Sequence, residues 1–536
     1  MAGGTIFIAA SIAFAYLSDS IGLPIVPWLV FLVASAAAAG TFRWLRRAAT
    51  ADRVATAITA AVIVVTFAWL LWLARPELLP TGSGPDLVHH LALIGYIEQH
   101  WRLVHDVRLS EYLGEMIDYT PGVHLLAALG GAWLRTGGLH ALHAVMALTV
   151  AIKVGFVFLV ARRLVPTERT RNPFGVLAVA LLLVPYVYSV GSFTEQSYLA
   201  QVASELFAVA MWWALIIWDE QPSRGAAALF GLFGGVAFLT WPVWTGPLLL
   251  ALAVVALMHG ERRLADRVVD LIVATVPIAL LVALHGSQHP GGFRMVGTGG
   301  FAIWPTTANL KPWFYVVTAM AMGFALRQRR TRVVILLIGA IAVQAAALTA
   351  TARASGAEAP YLALKMVYLA IYPVTVAIAV MAAALWRIAT MRVPRLRTAA
   401  AAWVAVAAIA VVAARPLAAA PRPKPVVTND VLHAAEWAKA HASPACIDYL
   451  TRDLYTAYWL HLAVLGQPRA SGRAMDDATF QPKQALVRWI LPGSLEYAVT
   501  DDLEALPRDV RANVDVVARF NKAAVVRRRG PTSKCP

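Results

Sequence analysis

Residues 84–103 read "GPDLVHHLALIGYIEQHWRL". The stretch follows an apolar run that ends near residue 75, yet it is too polar to cross a bilayer, which takes about 20 predominantly apolar residues. Pro85 fits the first position of a helix, where its missing N–H leaves no bond unmade. The segment is therefore read as a helix lying outside the hydrocarbon. That reading decides how the rest of the chain threads, because residues 76–137 become one long loop on one face.

Working outward, the 536-residue chain is 59% hydrophobic and 14% charged, with a mean hydropathy of +0.64. A soluble domain carries about 25% charged residues, so the composition is that of a polytopic membrane protein. The net charge of +16 does not point to nucleic acid. The arginines fall in short runs between apolar stretches ("RWLRR", "ARRL", "GERR", "RQRRTR", "RIATMRVPRLR"), as cytoplasmic anchors do. The first apolar run has no basic segment before it, so residues 5–20 read as a retained helix rather than a cleaved signal.

Apolar runs place spans near 5–20, 22–40, 54–75, 138–160, 173–190, 200–218, 226–240, 243–259, 268–285, 312–327, 332–351, 362–386 and 398–415. With the N-terminus inside, these thirteen spans put every arginine run in the cytoplasm. Loops 76–137, 190–200, 286–311 and 352–361 then face outward. "PGVHLLAALGGAWLRTGG" (121–138) is read as a short interfacial or re-entrant helix, because counting it as a span would send "ARRL" outside. The expected architecture is thus a transmembrane domain over 1–415, a Pro-rich linker over 416–427 and a small extracytoplasmic α/β domain over 428–536. Strand-like runs in that domain are "ACIDYL", "EYAVT" and "KAAVVRRR". Both cysteines, Cys446 and Cys535, fall in it, and a bridge between them suits an oxidising compartment.

From Arg75 to Thr120 the loop holds Glu77, Asp86, Glu98, Asp106, Glu111, Glu115 and Asp118 against Arg75, Arg102 and Arg108. Seven of the chain's thirteen histidines lie between 89 and 143. A solvated acidic loop is the plain reading. The sharper one is that Asp86, His89 and His90, at i, i+3 and i+4, share a helical face. Asp86 could instead serve only the helix N-terminus. A divalent cation on Asp86 and the histidines is a further reading, strained by the angle of about 100° between adjacent side chains.

"GPDLVHHLALIGYIE", "DYTPGVHLLAALGGAWL" and "VARRL", in that order, resemble the GT-C superfamily of integral membrane glycosyltransferases. Protein O-mannosyltransferases, the lipid A aminoarabinose transferase and arabinosyltransferases belong to that class. The resemblance implies a catalytic aspartate in the first outer loop, here Asp86. It implies a second acid at the outer end of a later helix, where "VPYVYSVGSFTEQSYLAQ" offers Glu195. "APYLALKMVYLAIYP" resembles the segment in which some members keep a phosphate-binding lysine, here Lys365. The chain departs from the pattern in having no second acid beside Asp86 and Glu rather than Asp at 195.

The chemistry gives these residue types a reason. A polyprenyl-phosphate sugar brings its own leaving group, so the enzyme must position an acceptor hydroxyl and take its proton, which suits a carboxylate. Outward cations would steady the departing phosphate; the candidates are Arg294, Lys311, Arg353 and Lys365. Lys365 stands out because it lies inside a helix start, where an ionisable group suggests function. His89, His90, Glu115 and Asp118 are expected to line or support the cavity, with Tyr458, Trp459 and His461 as core or sugar-stacking groups. Loop 286–311, long and Gly-rich, reads as a lid or a flexible connector, the lid being the preferred reading. Trp241, Trp244, Trp304 and Trp313 read as an interface belt. The expected partners are a polyprenyl-phosphate sugar donor, membrane lipids and a glycan, lipid or protein acceptor, at the plasma membrane. The alternatives are a secondary transporter or lipid flippase, which would need ionisable residues near the midplane, where the best candidates, Lys153 and Gln344, do not form a set, and a non-catalytic assembly subunit.

Overall fold

The computed structural model describes residues 1–48, 52–82, 85–291, 302–357, 359–393, 398–415, 423, 425, 428–466, 486, 489 and 495–532. Seven helices are long and apolar enough to cross a membrane: Ala2–Ser20, Arg53–Leu73, Gly138–Leu164, Leu199–Glu220, Leu264–Gln288, the one ending at Ala354, and Tyr361–Arg392. Shorter apolar helices fill the places between them, among them Arg224–Thr240, Pro312–Ala325 and Ala399–Ala413. The protein is a multi-pass helical membrane protein with a small C-terminal sheet.

One span departs from the sequence reading. The one expected over 173–190 ends at Leu181, and Pro185 then opens a separate short turn of helix at Tyr186–Ser189. A residue preceding proline is pushed out of the helical region, which stops the run. The Gly122–Leu134 helix is buried along its first ten residues, so of the two readings of this segment, interfacial or re-entrant, it suits the re-entrant one. Its 13 residues reach about 20 Å, short of a hydrocarbon core of about 30 Å. Trp241 and Trp244 are buried, unlike the exposed Trp304 and Trp313, so only the latter pair suits an interface belt. Trp244 instead donates its indole N–H to Gln201 O at 3.1 Å.

The arginine runs gather at one end. Arg162 pairs with Asp52 and Arg332 with Asp219, while His259 also reaches Asp219 at 3.1 Å. The long loop lies at the opposite end and is pinned there. Asp19, at the end of the first helix, accepts Leu103 N–H at 3.0 Å and meets His105 Nε2 at 2.8 Å. Glu98 accepts the N–H of Gly138, the first residue of its helix, at 2.5 Å. A carboxylate at a helix N-terminus is stabilised by the exposed N–H groups there.

The C-terminal unit has helix Asn429–His441 and a four-stranded sheet of order β1-β2-β4-β3. The strands are β1 (Ile447–Tyr449), β2 (Tyr497–Thr500), β3 (Val514–Phe520) and β4 (Ala523–Arg528). β1 pairs in parallel with β2, and the other pairings are antiparallel. β1, β2 and β4 match the three expected runs; β3, "VDVVARF", went unread because most of its residues face outward. Cys446 is held in a disulfide, and Cys535 lies outside the described residues.

Within the helical body, Lys153 meets Glu205 at 2.5 Å, and Tyr372 donates to the same carboxylate oxygen at 2.5 Å. Gln201 reaches the other oxygen at 3.4 Å. This set ties the Gly138–Leu164, Leu199–Glu220 and Tyr361–Arg392 helices together. Glu205 escaped the sequence reading because it sits inside an otherwise apolar span. Breaking a buried pair costs roughly 3–5 kcal/mol because one charge is left uncompensated, whereas replacing both members can be nearly neutral. Lys153→Met alone should therefore lower thermal stability in detergent sharply. Lys153→Met with Glu205→Leu should recover most of the loss, and a double variant no better than the single would contradict the strut.

Candidate active site

The loop that delivers Asp86 is fixed before the helix begins. Gly82 has φ +114, and a Cβ there would meet Ser197 Oγ at 2.0 Å. Ser197 in turn donates to Thr81 O at 3.0 Å, and Thr81 bridges to Pro425. Glycine alone combines that φ with so close an approach. The turn thus seats the start of the Pro85–His100 helix against the residues just before Tyr198.

Asp86 occupies the first turn of that helix. Burial raises its carboxyl above the ordinary aspartate range, while the nearby Lys365 and His89 pull it down and Glu115 pushes it up. The influences on it are burial and neighbouring charge. One turn on, His89 is buried and Nδ1 meets Glu115 at 2.6 Å, while Nε2 is bonded to the Tyr458 hydroxyl of the C-terminal unit. Both ring nitrogens are engaged, which leaves no lone pair for a metal. Among the described residues no group of three or more His, Cys, Asp or Glu is set to hold an ion.

His90 points elsewhere. Its Nδ1 and His124 Nε2 share a hydrogen bond of 2.7 Å, and burial pushes His90 down to about 3. A neutral imidazole therefore backs the site. Tyr119 packs edge-on to both rings, at 5.7 and 5.8 Å. Burial holds the Tyr119 hydroxyl protonated, within electrostatic reach of Tyr361, Asp86 and Glu115.

Lys365 lies in the second turn of the Tyr361–Arg392 helix and is 1% exposed. Its ammonium sits 2.9 Å from the centroid of the Tyr198 ring and 5.1 Å from those of Tyr361 and Tyr368. It has no hydrogen-bond partner among the described residues. Cation–π attraction reaches about 2 kcal/mol when desolvated, less than the several kcal/mol that desolvating an ion costs. The cage holds the charge in place and leaves its demand for an anion unmet.

The other sequence candidates are placed differently. Glu115 joins the cluster through His89, with 49% of its side chain exposed. Glu195 is hydrogen-bonded by Tyr186 and is not among the groups acting on Asp86. Asp118 faces the far end of the Leu264–Gln288 helix, where a Cβ on Gly291 would meet its Oδ2 at 1.9 Å. Lys311 and Arg353 are exposed, and Lys311 donates only to Ala308 O at 3.3 Å. The structure does not bring these two to the Asp86–Lys365 pair. Arg294, with the rest of 292–301, lies outside the described residues.

Sequence reasoning missed the aromatic cage. Tyr361, Lys365 and Tyr368 stand at i, i+4 and i+7, one face of a helix, and that spacing was legible. Tyr198 offered no such signal. Trp459 and His461 are buried, as the core reading expects, and Tyr458 does more than pack because its hydroxyl reaches His89.

No protein-family model matches the sequence, and no curated protein matches it. Among solved structures, the fold is similar to ArnT from Cupriavidus metallidurans bound to undecaprenyl phosphate, at 14% identity and a TM-score of 0.48. That match covers 89% of this chain and 98% of that one. It is also similar to the Archaeoglobus fulgidus oligosaccharyltransferase in complex with zinc and sulfate, at 12% identity and 0.47, covering 83% and 68%. A third similar structure is the oligosaccharyltransferase AglB from Archaeoglobus fulgidus with an inhibitory peptide and a dolichol-phosphate. There the identity is 11% and the TM-score 0.47, covering 83% and 69%.

The turn geometry carries its own test. Gly82→Ala combines a disfavoured φ with a clash and should cost roughly 1–3 kcal/mol of stability, the usual scale of such strain. Adding Ser197→Gly, which removes the obstructing side chain at a residue itself at φ +53, should return part of it. Unchanged thermal unfolding of Gly82→Ala would contradict the close approach.

Proposed function

We propose that the chain is a membrane glycosyltransferase that moves a sugar from a polyprenyl-phosphate donor to an acceptor hydroxyl on the extracytoplasmic side. The observation that carries this is the pairing of a desolvated carboxylate, Asp86, with a caged ammonium, Lys365, that has no hydrogen-bond partner among the described residues. Lys365 meets the donor phosphate, in surroundings where Coulomb attraction exceeds its value in water. Asp86 takes the acceptor proton as the acceptor oxygen attacks the anomeric carbon. The bond from that carbon to the phosphate oxygen breaks, and the phosphate leaves with the electron pair beside Lys365. A single displacement of this kind inverts the anomeric centre. Glu115 and Tyr458 hold His89 beside Asp86, and the neutral His90–His124 pair supports the wall behind it.

The outward orientation is supported by the positive-inside pattern, with arginine runs gathered opposite Asp86. The acceptor belongs to cell-envelope glycan, lipid or protein. The rival reading, transport or lipid flipping, draws on the intramembrane Lys153–Glu205 pair. Both oxygens of Glu205 are already held by Lys153, Tyr372 and Gln201, which is the wiring of a strut.

Membranes containing the protein, incubated with labelled polyprenyl-phosphate sugars, should transfer label. Asp86→Asn removes base and charge while keeping the shape, and it should insert normally yet transfer at least roughly a hundredfold more slowly, the low end of general-base contributions. Near wild-type transfer would remove Asp86 from the mechanism and leave Glu115, Asp118 or Glu195 to be tested.

The pH dependence has a definite sign. A base must be deprotonated, and burial raises the Asp86 carboxyl, so the rate should climb with pH through a value above the usual aspartate pKa of about 3.9. An acid limb at or below that value would count against a desolvated base.

A further inference from the structure

At the arginine end, a cavity of about 860 Å³ opens between the ends of helices, lined by Arg162, Arg163, Arg171, Arg329, Arg330 and Arg332 against only Asp219 and Glu220. Its apolar wall is Leu159, Trp213, Ile216 and Val333. Four of the arginines are committed. Arg163 pairs with Glu220 at 2.6 Å, and Arg332 Nε donates to Asp219 at 2.9 Å. Arg162 donates to Asn172 at 2.9 Å, and Arg171 to Val165 O at 3.2 Å. Arg329 and Arg330, adjacent in the short turn before the Arg332–Ala354 helix, make no side-chain hydrogen bond or ion pair among the described residues. Arg329 only adds a longer-range attraction to Glu261.

We infer that this cavity binds the headgroup of an anionic phospholipid. The two uncommitted guanidinium groups offer paired donors matched to phosphodiester oxygens. Basic pockets between transmembrane helices on the cytoplasmic side take acidic headgroups. The apolar wall decides between a lipid and a free phosphate, because an acyl chain covers it and a soluble anion does not. The site is separate from the Asp86 cluster. Tyr198 of the lysine cage immediately precedes the 22-residue Leu199–Glu220 helix, whose last residues line the cavity. At 1.5 Å per residue the two lie about 30 Å apart. The inference does not depend on the catalytic reading.

The full chain, purified in detergent and exchanged into nanodiscs of phosphatidylcholine alone or with cardiolipin or phosphatidylglycerol, provides the test. Native mass spectrometry should find anionic lipid retained by the wild type, and thermal stability should rise in the anionic discs. Arg329→Gln with Arg330→Gln should reduce retention at least fivefold and abolish the thermal shift. Arg330→Gln alone, at an exposed position, is read the same way should the pair not fold. Equal retention by wild type and variants would overturn the proposal. So would protection by inorganic phosphate or glycerol phosphate equal to that of the lipid, which would assign the cavity to a soluble phosphate.

Discussion

The ammonium of Lys365, enclosed by Tyr198, Tyr361 and Tyr368 beside Asp86, is the interaction on which this end of the molecule turns. A desolvated cation is costly unless an anion meets it. The three rings offset part of that cost and fix the charge in position, while Asp86 lies near enough to feel it without bonding to it. Such a site is primed for a second anion. The same desolvation that makes Lys365 expensive raises the proton affinity of Asp86. One low-dielectric setting thus produces both a carboxylate that holds its proton more strongly and a cation left in need of an anion.

The scaffold keeps the two groups in register. Tyr198 and Glu205 are seven residues apart in one segment, as are Lys365 and Tyr372 in another, so two turns, about 10 Å, separate cage from strut. Lys153 braces the lower level, and the close approach of Gly82 to Ser197 locks the upper one to the loop carrying Asp86. The C-terminal unit completes the enclosure through Tyr458. It is part of the site's wall, which is why the Pro85–His100 helix and the short Leu454–Tyr458 helix of the C-terminal unit meet at the buried His89.

Much of this was legible in the sequence, for stated physical reasons. Long apolar runs located the helices because spanning a bilayer leaves few alternatives. The "TGSGPD" turn and the i, i+3 spacing placed Asp86 beside His89. Lys365 announced itself as an ionisable group in a helix start. What stayed hidden depends on long-range packing: Tyr198 against Lys365, Tyr458 against His89, and Glu205 against Lys153 pair residues far apart in the chain. Asp118 and His90 carried the right chemistry but turn toward other neighbours, which composition alone does not reveal. The break after Leu181 was written in Pro185 and was overridden by the length of the apolar run.

The most direct measurement is a structure of the protein with a bound polyprenyl phosphate. The account predicts the phosphate within hydrogen-bond distance of Lys365 Nζ, about 2.7–3.2 Å, with the Asp86 carboxylate facing the remaining space where an acceptor hydroxyl would enter. A phosphate held by other cations, with the tyrosine cage around Lys365 unchanged, would contradict it.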